Sequence, residues 1–230
     1  MRVNDTLFII PARGGSKGIP GKNIKLLNGK PLICYSIDIA RAFTTDENIC
    51  VTTDSDNIID VVNKYGLKVP FKRPESLASD ESGMYEVLLH ALNYYEAVGM
   101  SYVKIVLLQP TSPFRTENQV DQAIRLFTNE IDMVVSVNES KLNPYYNLFE
   151  EANGFLVKSK PQSYVRRQDC PPVYSYNGAI YVININSLLN QHTSSFKKIK
   201  KFIMDEENSL DLDTPFDWLI AETLIKERSI

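Results

Sequence analysis

A glycine-rich loop that carries three basic residues is the feature of the sequence with the clearest chemistry. An apolar run at residues 7–10 predicts a buried strand, and it leads directly into PARGGSKGIPGKN at residues 11–23. Glycines let backbone N–H groups come close to a ligand, and the cations Arg13, Lys17 and Lys22 suit a triphosphate. The loop fits neither G-x-x-x-x-G-K-S/T nor G-x-G-x-x-G, so it indicates a third kind of nucleotide site.

Two aspartates in the segment SLDLDTPFD could hold a metal ion. Asp211 and Asp213 alternate with leucines, and alternating residues of an extended segment face the same way. Because neighbouring carboxylates repel unless a cation lies between them, the pair indicates a magnesium ion whose shell substrate phosphates would complete. The alternative is a helix N-cap at Asp213 or Thr214, and the spacing alone does not separate the two readings. Asp217 is assigned to the helix that follows.

The segments that must position these residues alternate between strands and helices. Strands are predicted at residues 7–10, 49–53, 103–108, 133–137, 179–185 and 202–204, and helices at residues 31–43, 57–65, 84–98, 117–128 and 216–228. This order predicts an α/β fold with a mainly parallel sheet and helices on both faces. Ligands of such sheets bind beyond the carboxyl ends of the strands.

Polar residues follow several of the predicted strands. Gln109 stands directly after an apolar run and before a proline, so its amide should point into the crevice at the edge of the sheet. Asp54, Ser55 and Thr116 occupy comparable places, but capping of the next helix explains each of them at least as well.

The composition excludes several classes of protein. The chain has 230 residues, 43% of them hydrophobic and 23% charged, as expected for one globular domain. A net charge of -3 gives no general attraction to nucleic acid or to a membrane, so neither is expected as a partner. The sequence shows no signal-peptide or membrane-spanning pattern, and Cys34, Cys50 and Cys170 form no CxxC pair. These observations predict a cytoplasmic protein with reduced thiols.

The pattern of strands and helices changes after about residue 139. Residues 141–172 are rich in Pro, Asn, Tyr and charge and contain only short strand candidates, which predicts an inserted β-rich flap or small subdomain. The basic cluster Lys197, Lys198, Lys200 and Lys201 is interpreted as a solvated face.

Five motifs, taken together, resemble those of the acylneuraminate cytidylyltransferases, the CMP-sialic acid synthetases. In chain order they are IIPARGGSKGIPGKN, RPESLASD, LLQPTSPFRT, NGAIYV and SLDLDTPFD, and they cover nearly the whole chain. The resemblance implies a Rossmann-like nucleotidyltransferase fold with residues 1–230 as one domain. It also implies a homodimer, with a small β-rich dimerisation subdomain at about 140–175 that reaches over the partner's active site. Residues 187–201 are a further interface candidate.

The resemblance also implies an activity. The family joins CTP to the anomeric hydroxyl of a nonulosonic acid, a nine-carbon 2-keto sugar acid, and releases pyrophosphate with Mg²⁺ as cofactor. The implied site residues are the phosphate-binding and catalytic Arg13, Lys17 and Lys22, the nucleotide-binding Asn23, Arg73 and Ser82, the sugar-binding Gln109, Arg167 and Tyr181, and the metal-binding and catalytic Asp211 and Asp213.

Met84 and Tyr146 depart from the family pattern, so sialic, legionaminic and pseudaminic acid all stay open as the sugar. A synthetase for the eight-carbon acid KDO is an alternative, although its family has a different N-terminal loop. A non-catalytic nucleotide-binding protein on the same fold is another, but it would not need the aspartate pair. A nicotinamide dehydrogenase would need a G-x-G-x-x-G loop, which the sequence lacks.

Overall fold

A six-stranded sheet forms the centre of the computed structural model, which describes residues 5–79, 83–161 and 164–228. The strands of the described residues, which also include the separate pairs β2–β3 and β7–β8, are β1 (Thr6–Pro11), β2 (Leu26–Leu27), β3 (Lys30–Pro31), β4 (Ile49–Thr52), β5 (Lys104–Leu107), β6 (Met133–Glu139), β7 (Phe149–Ala152), β8 (Phe155–Lys158), β9 (Tyr174–Asn184) and β10 (Ile199–Ile203). The central sheet has the order β10-β6-β9-β5-β1-β4. β1 pairs in parallel with β4 and β5, and β10 pairs in parallel with β6. The predicted α/β class with a mainly parallel sheet is confirmed.

Helices cover both faces of this sheet. They are α1 (Leu32–Arg41), α2 (Asp56–Lys64), α3 (Met84–Ala97), α4 (Glu117–Arg125), α5 (Ile185–Asn190) and α6 (Pro215–Arg228). Helices α1, α2 and α4 contribute to one buried apolar cluster, whereas α3 and α5 contribute to the other. Within the described ranges, no helix combines the length and the apolarity that crossing a membrane requires.

The apolar run of β1 follows from its central position. Phe8 and Ile10 belong to the first cluster, and Leu7 and Ile9 belong to the second, with all four side chains fully buried. Because alternate residues of a strand face opposite sides, a strand that is covered on both faces must be apolar throughout. The glycine-rich loop, which follows β1 directly, is therefore attached to a strand that is buried on both faces.

The strand β9 is longer than predicted and runs against its neighbours. It pairs antiparallel with β5 and with β6, and its register on β6 shifts between Val135, which faces Tyr181, and Val137, which faces Tyr176. A bulge of this kind bends the strand locally. Since an antiparallel strand begins where its parallel neighbours end, the first half of β9 lies at their carboxyl edge.

Residues 140–173 contain the separate hairpin of β7 and β8. Asn153 and Gly154 join the strands with φ values of 55° and 81°, the left-handed pair that a tight hairpin turn requires. Both strands are exposed along their whole length, and Phe155 and Leu156 leave 75% and 74% of their surface accessible. The short strands expected in this segment are present, while its status as a dimerisation subdomain stays a prediction.

Candidate active site

The glycine-rich loop opens onto a cleft of about 570 Å³ at the carboxyl edge of the sheet. Its walls come from the loop itself, from residues 73–79, from the start of α3 and from residues 109–111. Most of the residues predicted to hold a nucleotide or metal line it together, namely Arg13, Lys17, Lys22, Asn23, Arg73 and Asp213. Ser82, the other predicted nucleotide-binding residue, lies outside the described residues.

The backbone of the loop is held by two side chains. The amide of Asn23 donates to the carbonyl oxygen of Arg13 over 3.0 Å, and the N–H of Gly14 donates to Oδ1 of Asp54 over 3.0 Å. A Cβ at Gly14 would lie 2.9 Å from Cβ of Ser55, so this close approach needs glycine. Asp54 thus ties the loop to the end of β4, a role that its interpretation as a helix cap missed.

Arg73 enters the cleft from a short extension of the sheet. Its N–H donates to the carbonyl oxygen of Thr53 over 2.7 Å, and its side chain, only 5% of the residue being exposed, approaches Oδ1 of Asp54 at 3.5 Å. Burial lowers the pKa of Arg73, Asp54 opposes this shift, and the positive charge of Arg13 adds to it. Two guanidinium groups that repel across a cleft favour an anion between them.

The aspartate segment closes against the same loop. The N–H of Leu212 donates to the carbonyl oxygen of Thr111 over 2.8 Å, and the Leu212 side chain is fully buried against the third apolar cluster. Lys22 and Asp213 form an ion pair, with 2.9 Å between Nζ of Lys22 and Oδ1 of Asp213. A Cβ at Gly18 would overlap the carbonyl oxygen of Asp213, so glycine is required there as well. Two motifs almost two hundred residues apart therefore form one wall.

The start of α6 decides the capping alternative. Asp217 N donates to Oγ1 of Thr214 over 3.2 Å, and Oδ2 of Asp217 accepts from Thr214 N over 2.7 Å. These reciprocal bonds are those of a capping box, with Thr214 as the cap. Asp217 belongs to α6, as predicted, and the side chain of Asp213 remains available to the cleft, where it is 70% exposed.

The two aspartates fit a divalent cation. Oδ1 of Asp211 is buried and has no hydrogen-bond partner among the described residues. Burial raises the pKa of Asp211 and the charge of Asp213 raises it further, although a hydrogen bond from Thr111 opposes both effects. A cation would relieve the desolvation and the repulsion together. The described residues contain no group of three or more His, Cys, Asp or Glu that could hold a metal, so the pair could supply only part of a shell.

Gln109 lies beside Asp211 at Gly178, and Tyr181 lines the same cavity as Gln109. A Cβ at Gly178, whose φ is 73°, would lie 3.2 Å from Oε1 of Gln109 and 3.5 Å from Oδ2 of Asp211. Burial, and secondly the charge of Asp211, raises the pKa of Tyr181 to about 12, so its hydroxyl keeps its proton at neutral pH. The glycine lies on the bulged part of β9, which carries it to the edge of the sheet. A glycine in the interior of a strand often marks such a close approach.

An apolar cavity of about 370 Å³ adjoins the cleft. Gln109 and Met84 line both spaces, and Tyr181 lines the apolar one together with aliphatic and aromatic side chains from β5, β9 and the segment before β10. Charged groups therefore surround one space, and mainly carbon atoms surround the other. The amide of Gln109 stands where the two meet.

Arg167 lies apart from the other predicted sugar-binding residues. It is exposed and lines a different cavity with Asn143, Cys170 and Pro171, all of them within the hairpin segment at residues 140–173. The described part of one chain does not bring it to Gln109 or Tyr181.

Arg115 shows the opposite case, because it was not predicted as a site residue and is nevertheless buried beneath Gln109. Burial lowers the pKa of Arg115 to about 9, against the effect of Asp211.

Comparison with known proteins decides the family. A sequence model of the family described as Cytidylyltransferase matches residues 7–226. The chain belongs to the cytidylyltransferase family. It is 34% identical to the post-translational flagellin modification protein B of Campylobacter coli, over 99% of this chain and 98% of that protein. It is 35% identical to the CMP-N,N'-diacetyllegionaminic acid synthase of Legionella pneumophila, over 96% of both chains.

The cytidylyltransferase family membership confirms what the five motifs predicted. Among solved structures, a CMP:2-keto-3-deoxy-manno-octonic acid synthetase complexed with CTP superposes with a TM-score of 0.71, over 97% of this chain and 99% of that one. Its sequence identity is 17%, so this likeness concerns the fold. The chain is therefore a nucleotidyltransferase of this family in sequence and in fold.

Proposed function

We propose that the chain transfers the cytidylyl group of CTP to a sialic-acid-like nonulosonic acid, which yields a CMP-sugar and pyrophosphate. The observation that carries this proposal is the junction of two unlike spaces at Gln109. A cleft lined by cations suits a triphosphate, and the adjoining apolar cavity suits the acyl and deoxy groups of such a sugar. The name of the Legionella pneumophila relative supports the same substrate class.

In this reaction the residues of each wall of the cleft have a distinct role. The anomeric oxygen of the sugar attacks the α-phosphorus of CTP, the bond to pyrophosphate breaks, and the hydroxyl proton is released. Arg13, Lys17 and Lys22 stabilise the negative charge that grows on the leaving pyrophosphate. Asp54 and Asn23 keep the loop in shape, so little rearrangement precedes the reaction.

Asp211 and Asp213 would hold Mg²⁺ in this proposal. When bound, the ion would neutralise phosphate charge and lower the barrier to displacement. Gln109 and the protonated Tyr181 would orient the sugar by hydrogen bonds.

A second copy of the chain would complete the sugar site. Arg167 suits the sugar carboxylate, since a guanidinium binds a carboxylate with two parallel hydrogen bonds. In one chain it lines a different cavity from Gln109 and Tyr181, and the hairpin beside it exposes Phe155 and Leu156. A homodimer in which the hairpin segment covers the partner's cleft would account for both observations. A cytoplasmic location remains part of the proposal, and the free thiols of all three cysteines fit it.

Pyrophosphate release tests the proposal. The purified chain would be assayed with CTP, UTP, ATP or GTP and with N-acetylneuraminic, legionaminic, pseudaminic and 2-keto-3-deoxyoctonic acids. We expect turnover with CTP and at least one nine-carbon acid, and much weaker turnover with the other nucleotides. Equal turnover with UTP would contradict a cytosine-specific site, and a preference for the eight-carbon acid would favour the KDO-type alternative.

A further inference from the structure

The backbone carbonyl of Gln109 is held by three donors. It accepts a hydrogen bond from Nη2 of Arg115, one from the N–H of Ser112 over 3.4 Å, and one from Oγ of Ser36 over 3.4 Å. Ser36 belongs to α1, whereas Ser112 and Arg115 follow Gln109 in the same loop. The carbonyl is thereby fixed to the main body of the fold from two directions.

Arg115 is buried without an ion pair among the described residues. Only 3% of the residue is exposed, Nη1 donates to Oγ of Ser36 over 3.1 Å, and Nε has no described partner. Burial of a charged group without an ion pair is unfavourable, and the charge of Asp211 opposes this effect only in part. A neutral residue could fill the same volume without the free-energy cost of burying a charge. We therefore infer that the guanidinium group has a functional role.

The side chain of Gln109 indicates what that role is. It lines both the nucleotide cleft and the apolar cavity, and its Oε1 approaches Gly178 beside Asp211. The place of this amide depends on the backbone from which it projects. A carbonyl with three donors leaves that backbone little freedom, which is the arrangement expected where a short side chain must be held in one position.

We propose that Arg115 is a positioning residue for the sugar site: together with Ser36 it fixes the carbonyl of Gln109 and so aims the Gln109 amide at the nonulosonic acid. This inference rests on the proposed function. Arg115 contacts neither substrate and acts through Gln109. A purely structural role, in which Arg115 only packs the loop against α1, is the competing explanation.

A double-mutant cycle separates the two explanations. The variants are Arg115→Met, Arg115→Lys, Gln109→Ala and the double variant Arg115→Met/Gln109→Ala, with Arg125→Met as the control because Arg125 is an exposed arginine of α4. For each protein, kcat, the two KM values and the thermal midpoint would be measured.

We expect Arg115→Met to raise the KM for the sugar roughly tenfold while the KM for CTP changes little. Arg115→Lys should recover part of the loss, since it keeps the charge without the planar fork. In the Gln109→Ala background, Arg115→Met should cause no further rise in the sugar KM, because residues that act through one group are not additive. The control should behave as the wild type.

Several outcomes would overturn the inference. Equal increases in both KM values, or an Arg115→Met effect that persists in full without the Gln109 side chain, would leave Arg115 a structural residue. If Arg115→Met does not fold, Ser36→Ala removes one donor to the carbonyl, and an unchanged sugar KM in that variant would contradict the proposal. A wild-type chain without turnover would refute the proposed function itself, and a Gln109→Ala variant with normal sugar KM would remove Gln109 from the sugar site.

Discussion

The carboxyl edge of the sheet and the hairpin segment at residues 140–173 have opposite surfaces. At the sheet edge, charged side chains are buried, as in Lys22 and Arg73, with exposures of 9% and 5%. In the hairpin, apolar side chains are exposed, as in Phe155 and Leu156. Each pattern is unfavourable for an isolated chain in water. Buried charges lose their hydration, and exposed apolar side chains keep carbon atoms in contact with water.

This difference indicates which kind of binding partner would stabilise each region. Buried cations that repel one another are stabilised by an anion, and the glycine-rich loop leaves space for one between Arg13 and Arg73. Exposed apolar strands are stabilised by a protein surface, and a second copy of the chain would supply it. We therefore propose that CTP binds at the sheet edge and that the hairpin contacts a second copy of the chain.

Removal of the buried carboxylate should have the largest effect. Asp211→Asn should lower the rate by roughly tenfold to a thousandfold, the range assigned to one electrostatic stabiliser. The thermal midpoint should not fall, because the raised pKa of Asp211 shows that its charge is unfavourable in the folded chain. Asp60→Asn, an exposed aspartate on α2, is the matched control. Full magnesium-dependent activity in Asp211→Asn would contradict the metal assignment.

The hairpin should control association. The double variant Phe155→Ser/Leu156→Ser should raise the dimer dissociation constant at least roughly a hundredfold, since burial of each side chain contributes about 1.5–3 kcal/mol. Sedimentation velocity over a range of concentrations measures this constant. The monomer should lose sugar binding before it loses CTP binding. An unchanged dimer would place the interface elsewhere, with residues 187–201 as the next candidate.

A smaller and more selective effect is expected at Arg167. Arg167→Ala should raise the sugar KM by roughly tenfold to a hundredfold and leave CTP binding nearly unchanged, because a charged hydrogen-bonded pair contributes about 1.5–3 kcal/mol. Arg167→Lys should restore only part of the loss. Calorimetry that found normal sugar affinity with weakened CTP binding would move Arg167 to the triphosphate.

The smallest effect is expected at Asp54, which supports the loop without lining the cleft. Asp54→Asn should raise the KM for CTP by roughly threefold to tenfold, because the bonds to Gly14 and Arg73 become weaker without the charge. The sugar KM should stay the same. A variant with unchanged CTP kinetics would show that the loop does not need the charge of Asp54.

The sequence predicts the parts of this molecule that depend on local pattern. The strand β1, the glycine-rich loop and the Thr116 cap of α4 are all found where their residue types indicate, with Thr116 accepting from the N–H of Gln119 over 3.3 Å. The residue types that predict these features are close together in the chain. The fold class and the family follow from the same motifs and are confirmed.

The remaining features depend on contacts across long stretches of the chain. The direction of β9 is set by its pairing with β5 and β6, which no local pattern encodes. Asp54 resembles a cap in sequence, yet it binds Gly14, forty residues away. Arg115 resembles an ordinary surface arginine before a helix, yet it is buried and binds Ser36, seventy-nine residues away. The roles of the predicted site residues stay predictions until they are tested in solution.

A heterodimer experiment tests most directly whether each site combines the sheet edge of one chain with the hairpin segment of the other. Asp211→Asn and Arg167→Ala chains, each with its own affinity tag, would be co-expressed, and the mixed dimer would be purified and assayed at low sugar concentration. If each site combines the sheet edge of one chain with Arg167 of the partner subunit, one of the two sites is intact, and about half of the wild-type activity should return. Activity no higher than the mean of the two parent variants would show that each chain serves its own site and would contradict the account.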